Sequence, residues 1–276
     1  MQAKRFSPLS ILAILLGALV ILVMLTPYIW MLLQSFKTTR EILRNPGKIL
    51  PIQWTLNSYR TVLTKSPFFS WFRNSVIVTG SVTILVIFTS TIAGFVFSKF
   101  KFPLRNIIFW ILMASMMVPS QAVMIPQFLI VNTLGLYNSL FALIIPGSVS
   151  LFGIFLCRQF CAGIPDSLWE AAVIDGASSF IIYTRVMVPL LRPCIATLAI
   201  FTFLSSWNEF LRALIYLESV KNMTLPIAIS YFANGVYSID FAACLAASAL
   251  IMIPVTIVFL VLQKQFIKGV AISGMK

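Results

Sequence analysis

Residues 170–193, EAAVIDGASSFIIYTRVMVPLLRP, form the stretch from which the rest of the chain can be interpreted. The stretch lies between two long apolar runs and carries four charges: Glu170, Asp175, Arg185 and Arg192. Ser167 and Glu170 have the S-x-x-E spacing of a capping box, which predicts a helix beginning near Leu168. Gly176 is placed to end that helix, because glycine adopts the left-handed conformation without a Cβ clash.

A second short helix is predicted to begin near Ser178 and to stop before Pro189, since the residue preceding a proline disfavours helical backbone. We call residues 163–193 the central loop. Its predicted order is helix, glycine turn and helix, which makes a stiff unit between apolar runs. Such a unit at a membrane surface suits being held by another protein.

The composition excludes a soluble protein. Of 276 residues, 60% are hydrophobic and 10% are charged, and the mean hydropathy is +1.00, as in a polytopic membrane protein. The net charge of +13 is assigned to topology signals and lipid headgroups, and no nucleic-acid partner is predicted. The absence of histidine excludes a Ser-His-Asp triad and a His-ligated metal. The four cysteines form no C-x-x-C pair and are predicted to be packing residues.

The apolar runs predict an all-α membrane protein with six transmembrane helices in a single domain over residues 1–276. The predicted spans are 11–33, 75–97, 106–124, 139–161, 191–217 and 241–262. The first run is too long for the apolar part of a signal peptide and lacks a small-residue cleavage site, so it is predicted to be retained. Residues 34–74, which are rich in aromatic side chains, are predicted to form a small packed cap on the membrane.

Prolines interrupt two of the predicted spans. Pro119 and Pro126 fall near the end of the third span, so 125–132 is predicted as a separate interfacial piece. Pro146 and Gly147 lie inside the fourth span, where a kink is favoured over a binding site.

Lys and Arg give a weak signal for orientation. Six spans place both termini on one side, which carries eleven basic residues against nine on the other. The segment 34–74 alone holds seven of those nine, and the sequence offers no physical reason for so basic a loop.

The central loop resembles a known signature. Glu170-Ala171-Ala172, the following Gly176 and Val186-x-Val188-Pro189 resemble the EAA motif of ABC importer permeases. With Asp175 and Ala177, the fuller pattern EAA-x-x-DGA resembles the MalG-like subunits of carbohydrate-uptake systems. Valine occupies the two positions where the family pattern has isoleucine and leucine, and both changes keep an apolar side chain.

The resemblance implies the type I permease fold of ABC importers in a bacterial inner membrane, with both termini cytoplasmic. It implies a non-catalytic subunit that works with a second, MalF-like permease, two ATPase subunits, an extracytoplasmic sugar-binding protein and membrane lipids. ATP and Mg²⁺ would bind to the partner ATPase, and no cofactor or metal to this chain.

The same resemblance gives expectations for individual residues. ATPase coupling is assigned to one set in the central loop: Glu170, Ala171, Ala172, Asp175, Gly176, Ala177 and Pro189. Gly274 and Lys276 of the tail are implied to reach the ATPase, and residues 218–240 to touch the binding protein.

One charged site lies within a predicted span. Glu209 and Arg212 have helix-neighbour spacing, which favours a self-neutralising ion pair, and an intramembrane carboxylate also suggests a pathway or gate. Trp207-Asn208-Glu209-Phe210 resembles a W-N-[DE] feature of carbohydrate permeases. Asn208 and Glu209 are therefore candidate pathway or gate residues, with packing or gating favoured over direct sugar contact.

Two other functional classes remain open. An ion-coupled secondary transporter would need intramembrane charge, for which Glu209 alone is thin support. A membrane-embedded enzyme would need converging polar groups, and the sequence contains neither a G-x-x-x-x-G-K-[ST] loop nor a paired-carboxylate motif. The sequence does not choose among a disaccharide, a longer oligosaccharide and a polyol phosphate as cargo.

Overall fold

The computed structural model describes residues 8–233 and 240–273 of the chain. Its α-helices in chain order are α1 Pro8–Ser35, α2 Thr39–Arg44, α3 Asn57–Lys65, α4 Phe68–Lys99, α5 Arg105–Ser115, α6 Met124–Thr133, α7 Phe141–Gly147, α8 Leu151–Ala162, α9 Asp166–Ile174, α10 Ser179–Ile181, α11 Val188–Leu190, α12 Arg192–Trp207, α13 Leu211–Tyr216, α14 Leu225–Ala233 and α15 Phe241–Ser273. A π-helix covers Ile182–Met187 and a 3₁₀-helix covers Val220–Asn222. No strand occurs in the described ranges, which confirms the predicted all-α fold.

Four helical segments of the described chain are long and apolar enough to cross a membrane: Leu12–Ser35, Phe68–Lys99, Phe141–Ala162 and Phe241–Val261. A fifth crossing is available if Ser179–Leu190 and Arg192–Trp207, which meet at a 77° bend, act as one broken span. The multi-pass prediction is confirmed, and the described helices are consistent with six spans, some of which are broken.

The third predicted span, 106–124, is interrupted earlier than expected. Helix α5 ends at Ser115, and its 11 residues measure about 16 Å at ~1.5 Å per residue, about half of the bilayer core. Turns follow until α6 begins at Met124. Pro119 accounts for part of the break, because proline and the residue before it leave the helical conformation.

The fifth predicted span, 191–217, is broken as well. Helix α12 ends at Trp207 and α13 covers only Leu211–Tyr216, so Glu209 lies in a non-helical segment. In the fourth span, α7 ends at Gly147 and α8 begins at Leu151, which agrees with the kink expected beside Pro146.

The chain divides into two compact units, and the single permease domain over 1–276 stays a prediction. One comprises Met1–Phe68 with Ala228–Met252, and the other Phe69–Ile227 with Ile253–Lys276. In the first unit, residues 34–59 fold on themselves, as the packed-cap expectation requires. The Phe36 ring lies 5.5 Å from Trp54 and 5.3 Å from Tyr59 between centroids, and Lys37 is fully buried with its Nζ donating to the Lys48 carbonyl.

In the second unit, α4 and α8 cross at very short range. A Cβ added to Gly153 would lie 2.3 Å from the Ser90 Oγ and 3.1 Å from the Leu198 Cδ1, so only glycine fits this crossing. Cys157, on the same helix as Gly153, is buried with its Sγ 3.6 Å from that of Cys194 on α12. The cysteine contacts are packing contacts, as predicted.

Candidate functional site

The first helix of the central loop begins two residues earlier than the capping-box pattern predicts. Helix α9 runs Asp166–Ile174 with Pro165 as its N-cap, and no side chain caps it. Ser167 therefore lies inside the helix, and the predicted box is wrong.

The helix ends as predicted, on Gly176. Its φ of +76° is left-handed, and the Gly176 N–H donates to the Val173 carbonyl at 3.0 Å while the Ala177 N–H donates to the Ala172 carbonyl at 3.0 Å. Those two bonds make a Schellman closure. Asp175 is the C-cap, so most of the residues singled out by the signature form one rigid helix end.

The helix has an inner and an outer face. Trp169, Ala172 and Ala177 are partly buried against the core. The outer face carries exposed residues: Leu168, Glu170, Ala171, Val173, Ile174 and Asp175. Ile174 is 84% exposed. Leu168, Val173 and Ile174 are thus three exposed apolar side chains on one short helix, and grouped exposed apolar side chains mark interaction surfaces.

Lys99, the last residue of α4, is bonded to the start of α9. Its Nζ donates to the Ile164 carbonyl at 2.7 Å and to Asp166 Oδ1 at 2.5 Å. The Lys99 side chain is 4% exposed, whereas that of Asp166 is 76% exposed. The hydrogen bond from Lys99 and its positive charge lower the pKa of the Asp166 carboxyl, so this group is ionised at neutral pH.

An aromatic cluster extends the same contact. The Phe95 ring lies 5.4 Å from Trp169 of α9 and 5.7 Å from Tyr183, and Phe100 lies 5.3 Å from Trp169. The Tyr183 hydroxyl and the Thr91 hydroxyl are 2.8 Å apart. The end of α4 therefore contacts both halves of the central loop.

The second half of the central loop continues past the point where the sequence predicts a stop. Ser178 caps α10 by accepting from the Ile181 N–H at 3.4 Å, as expected. The helical path then widens into the π-helix and runs through Pro189 to Leu190. In a π-turn the N–H bonds to the fifth preceding carbonyl instead of the fourth, which accommodates a proline that the α-helical rule excludes.

A cavity of about 610 Å³ lies in the second unit, away from the central loop. Its walls come from α4, the break between α7 and α8, α12 and the segment after α12: Val78, Val82, Val86, Leu143, Pro146, Gly147, Val149, Ser150, Phe152, Phe201, Thr202, Ser205, Ser206, Glu209 and Arg212. The volume is in the range of ligand sites. The interruption at Pro146 and Gly147, interpreted from the sequence as a kink only, also forms part of this wall.

Glu209 and Arg212 are the charged residues of the cavity wall, and they are paired with each other. Glu209 Oε2 accepts from Arg212 Nε at 2.7 Å and also from Nη2, and its Oε1 accepts from the Arg212 N–H at 3.2 Å. The i, i+3 pair expected from the sequence is present. Asn208, the other candidate, donates to the Leu204 carbonyl at 2.9 Å and is not part of the wall.

The sequence missed Lys99, Trp169 and Tyr183. It treated Lys99 as one more loop charge, because nothing in a sequence joins two residues 67 positions apart. Gly274 and Lys276, expected to reach the ATPase, lie outside the described residues, as does part of 218–240.

Comparison with known proteins decides the family. Residues 87–272 match the model of the binding-protein-dependent transport system inner membrane component, a range that contains the central loop and the cavity wall except for the three valines of α4. The chain belongs to this family. These permeases are non-catalytic membrane subunits of ABC importers, in which a separate ATPase hydrolyses ATP. They act with another permease, an ATPase and a substrate-binding protein.

Similar permeases extend over nearly the whole chain. The arabinooligosaccharides transport system permease protein AraQ of Bacillus subtilis is 34% identical over 279 residues, covering 100% of this chain and 99% of its own. The diacetylchitobiose uptake system permease protein NgcG of Streptomyces coelicolor is 32% identical, covering 97% and 88%.

The fold of this permease is similar to one in a solved structure. A chain in the crystal structure of a bacterial ABC transporter involved in the import of the acidic polysaccharide alginate aligns with a TM-score of 0.82 and 23% identity, covering 96% of this chain and 100% of that one. At that identity the likeness concerns the fold.

Proposed function

We propose that this permease serves an ATP-driven importer of uncharged sugars, forms half of the translocation pathway and couples to its ATPase through the central loop. The observation that carries the coupling role is the outer face of α9. A short helix closed by a Schellman turn at Gly176 presents exposed apolar residues, Ile174 above all, beside the carboxylates of Glu170 and Asp175.

In this proposal α9 is the coupling helix and sits in a cleft of the ATPase. Glu170 makes polar contacts, Ala171 and Ala172 allow close approach, and Gly176 permits the turn. When ATP closes the ATPase dimer, the central loop moves as a rigid body and the attached spans rock. This movement alternates access to the cavity between two states.

The sugar class is supported by the cavity and by the similar permeases. AraQ and NgcG are named for arabinooligosaccharides and diacetylchitobiose. The cavity wall offers the hydroxyls of Ser150, Thr202 and Ser205 and two aromatic rings. Because Glu209 and Arg212 neutralise each other there, the wall suits polyhydroxylated cargo without net charge.

The partners follow from the same proposal. The chain pairs with a MalF-like permease, two ATPase copies and an extracytoplasmic sugar-binding protein. ATP and Mg²⁺ bind to the ATPase, and Gly274 and Lys276 of the tail contact it. Both termini face the cytoplasm. An alkaline phosphatase fusion after Phe180 should be inactive while a fusion after Lys65 is active, and the reverse result would overturn the orientation.

The decisive experiment is purification of the tagged chain from membranes, followed by uptake measurements with three probes. We expect an ATP-hydrolysing subunit to co-purify, and uptake of arabinotriose or N,N′-diacetylchitobiose in preference to sn-glycerol 3-phosphate. Uptake of the phosphate alone would overturn the sugar class. Absence of an ATPase would overturn the coupling role.

The energy source of uptake distinguishes an ion-coupled secondary transporter from an ATP-driven importer. Uptake that survives ATP depletion with an intact proton gradient would support the secondary transporter. The structure offers little support for ion coupling, because Glu209, the carboxylate that could bind a coupling ion, is bonded to Arg212.

A further inference from the structure

We propose that movement of the central loop on ATP binding is transmitted to the cavity mainly through helix α4. The contacts that transmit it are made by Lys99, Phe95 and Thr91, which we call the clamp. This inference rests on the proposed coupling role of the central loop. In the chain, the central loop is covalently continuous with α8 and α12, so the sequence alone assigns the movement to those helices. The side-chain contacts assign it to a third helix that is not adjacent to the loop in sequence.

The first contact of the clamp is the Lys99 ammonium. Two of its three donors are used on the segment that begins α9, one on the Ile164 carbonyl at 2.7 Å and one on Asp166 at 2.5 Å. Since the Lys99 side chain is 4% exposed, water competes weakly for its bond to the Ile164 carbonyl, which is charge-assisted and therefore strong. The Asp166 carboxylate is 76% exposed, so the ion pair adds a smaller contribution. The start of α9 cannot move away from α4 without breaking both.

The other two clamp residues lie on the same face of α4. Thr91, Phe95 and Lys99 are spaced at i, i+4 and i+8, which aligns them along one side of the helix. Thr91 meets the Tyr183 hydroxyl at 2.8 Å, and the Phe95 ring lies 5.4 Å from Trp169 and 5.7 Å from Tyr183. The central loop is therefore bonded to α4 on both sides of its glycine turn.

The same helix forms a wall of the cavity. Val78, Val82 and Val86, also four residues apart, line it. From Val86 to Lys99 the helix rises about 20 Å at ~1.5 Å per residue. The helix is continuous over Phe68–Lys99, so a displacement imposed at Lys99 moves the valine wall as a rigid rod would.

Lys99 and Asp166 are thus positioning residues for coupling. A cysteine reporter at Val82 and another at Ser205 separate the α4 route from the α12 route, since both positions line the cavity. The purified complex with its ATPase is treated with a maleimide, with and without a non-hydrolysable ATP analogue. The chain without added cysteine gives the background from the native thiols.

We expect Lys99→Met to reduce the nucleotide-dependent change in labelling at Val82→Cys by about five- to tenfold, the size of a typical coupling between sites. The response at Ser205→Cys should fall less than twofold, by the rough margin used for independent sites. Lys99→Arg, which keeps the charge and the donors, should restore the Val82→Cys response. Lys101→Met is the matched control, because Lys101 is a nearby but exposed lysine.

Three outcomes would overturn the clamp: an unchanged response at Val82→Cys, an equal loss at both reporters, or failure of Lys99→Arg to restore the response. Asp166→Asn breaks the same contact from the exposed side, so it tests the clamp even if Lys99→Met misfolds. It should reproduce part of the Lys99→Met effect while the ATPase still co-purifies. Failure of the proposed function would look different, since the unchanged complex would then show no nucleotide response at either reporter.

Discussion

The central loop and the cavity use charge in opposite ways. At the central loop, the carboxylate of Asp166 is bonded to Lys99, a buried lysine of α4 67 residues away, so that two separate helices are joined. In the cavity Glu209 and Arg212 are three residues apart and join nothing but their own turn. In our proposal the first arrangement transmits movement, whereas the second removes net charge from a surface. Variants in the loop should therefore change coupling, and variants in the cavity should change the handling of cargo.

The largest effect is expected for Gly176→Pro. Proline fixes φ near −65° and lacks the N–H, so it can neither adopt the φ of +76° nor make the bond to Val173. The local cost is about 3 kcal/mol or more, and ATP-driven uptake should be abolished while the protein remains inserted. Gly176→Ala, which keeps the N–H, should cost only about 1–2 kcal/mol. Uptake at the unchanged level by the proline variant would contradict a coupling role for the loop.

A smaller effect is expected where the helices beside the cavity cross. Gly153→Ala would place a methyl group 2.3 Å from the Ser90 Oγ, and such overpacking costs about 1–3 kcal/mol. The thermal unfolding midpoint of the purified complex should fall. Adding Ser90→Gly should recover part of the loss by removing the nearest atom. No recovery would mean that Leu198, the next contact, limits the crossing.

The cavity should respond through charge. Glu209→Gln leaves Arg212 without its carboxylate partner. For this partly exposed pair the loss is about 1 kcal/mol, so the KM for a neutral probe such as arabinotriose should rise about fivefold. The ATP hydrolysed per sugar should not change. The double variant Glu209→Gln with Arg212→Gln, which is again neutral, should recover much of the KM. A change in coupling instead of KM would remove the distinction between the two regions.

The smallest effect is expected from pH. Bonding to Lys99 lowers the pKa of Asp166 from its ordinary 3.8, so this group contributes stability above that ordinary value and loses it only as pH falls through the lowered one. Coupling measured between pH 5 and 8 should therefore show no change caused by titration of Asp166. The pH profile of Asp166→Asn should have the same shape as that of the unchanged protein. A step in that range that disappears in Asp166→Asn would contradict the assigned ionisation.

What the sequence could and could not reveal follows the range of the interactions. Gly176, Ser178 and the Glu209–Arg212 pair were predictable, because each depends on residues within a few positions. The capping box at Ser167 failed because the helix already begins at Asp166, and the stop before Pro189 failed because a π-turn relaxed the usual rule. The breaks after Ser115 and Trp207 fall inside apolar runs that hydropathy alone treats as continuous.

The basic outer segment shows the same limit. Lys37 was counted as a topology signal, but it is buried and bonds to the Lys48 carbonyl. This lysine is a structural donor inside a packed cap. The positive-inside rule describes charges that remain in water, so at least one of the seven basic residues that weakened the orientation signal does not belong in that count.

The π-helix at Ile182–Met187 determines how the segment that follows it is rotated about the helix axis. A π-turn is equivalent to one extra residue inserted in an α-helix, and each residue turns the path by about 100°. Removing a single residue between Ile182 and Met187 should therefore restore α-helical winding and leave the orientation of the downstream segment nearly unchanged, because the wide turn already absorbs that residue. The same segment wound wholly as an α-helix would turn everything downstream by about 100°, so the π-turn is what keeps Phe201 and Ser205 in the cavity wall.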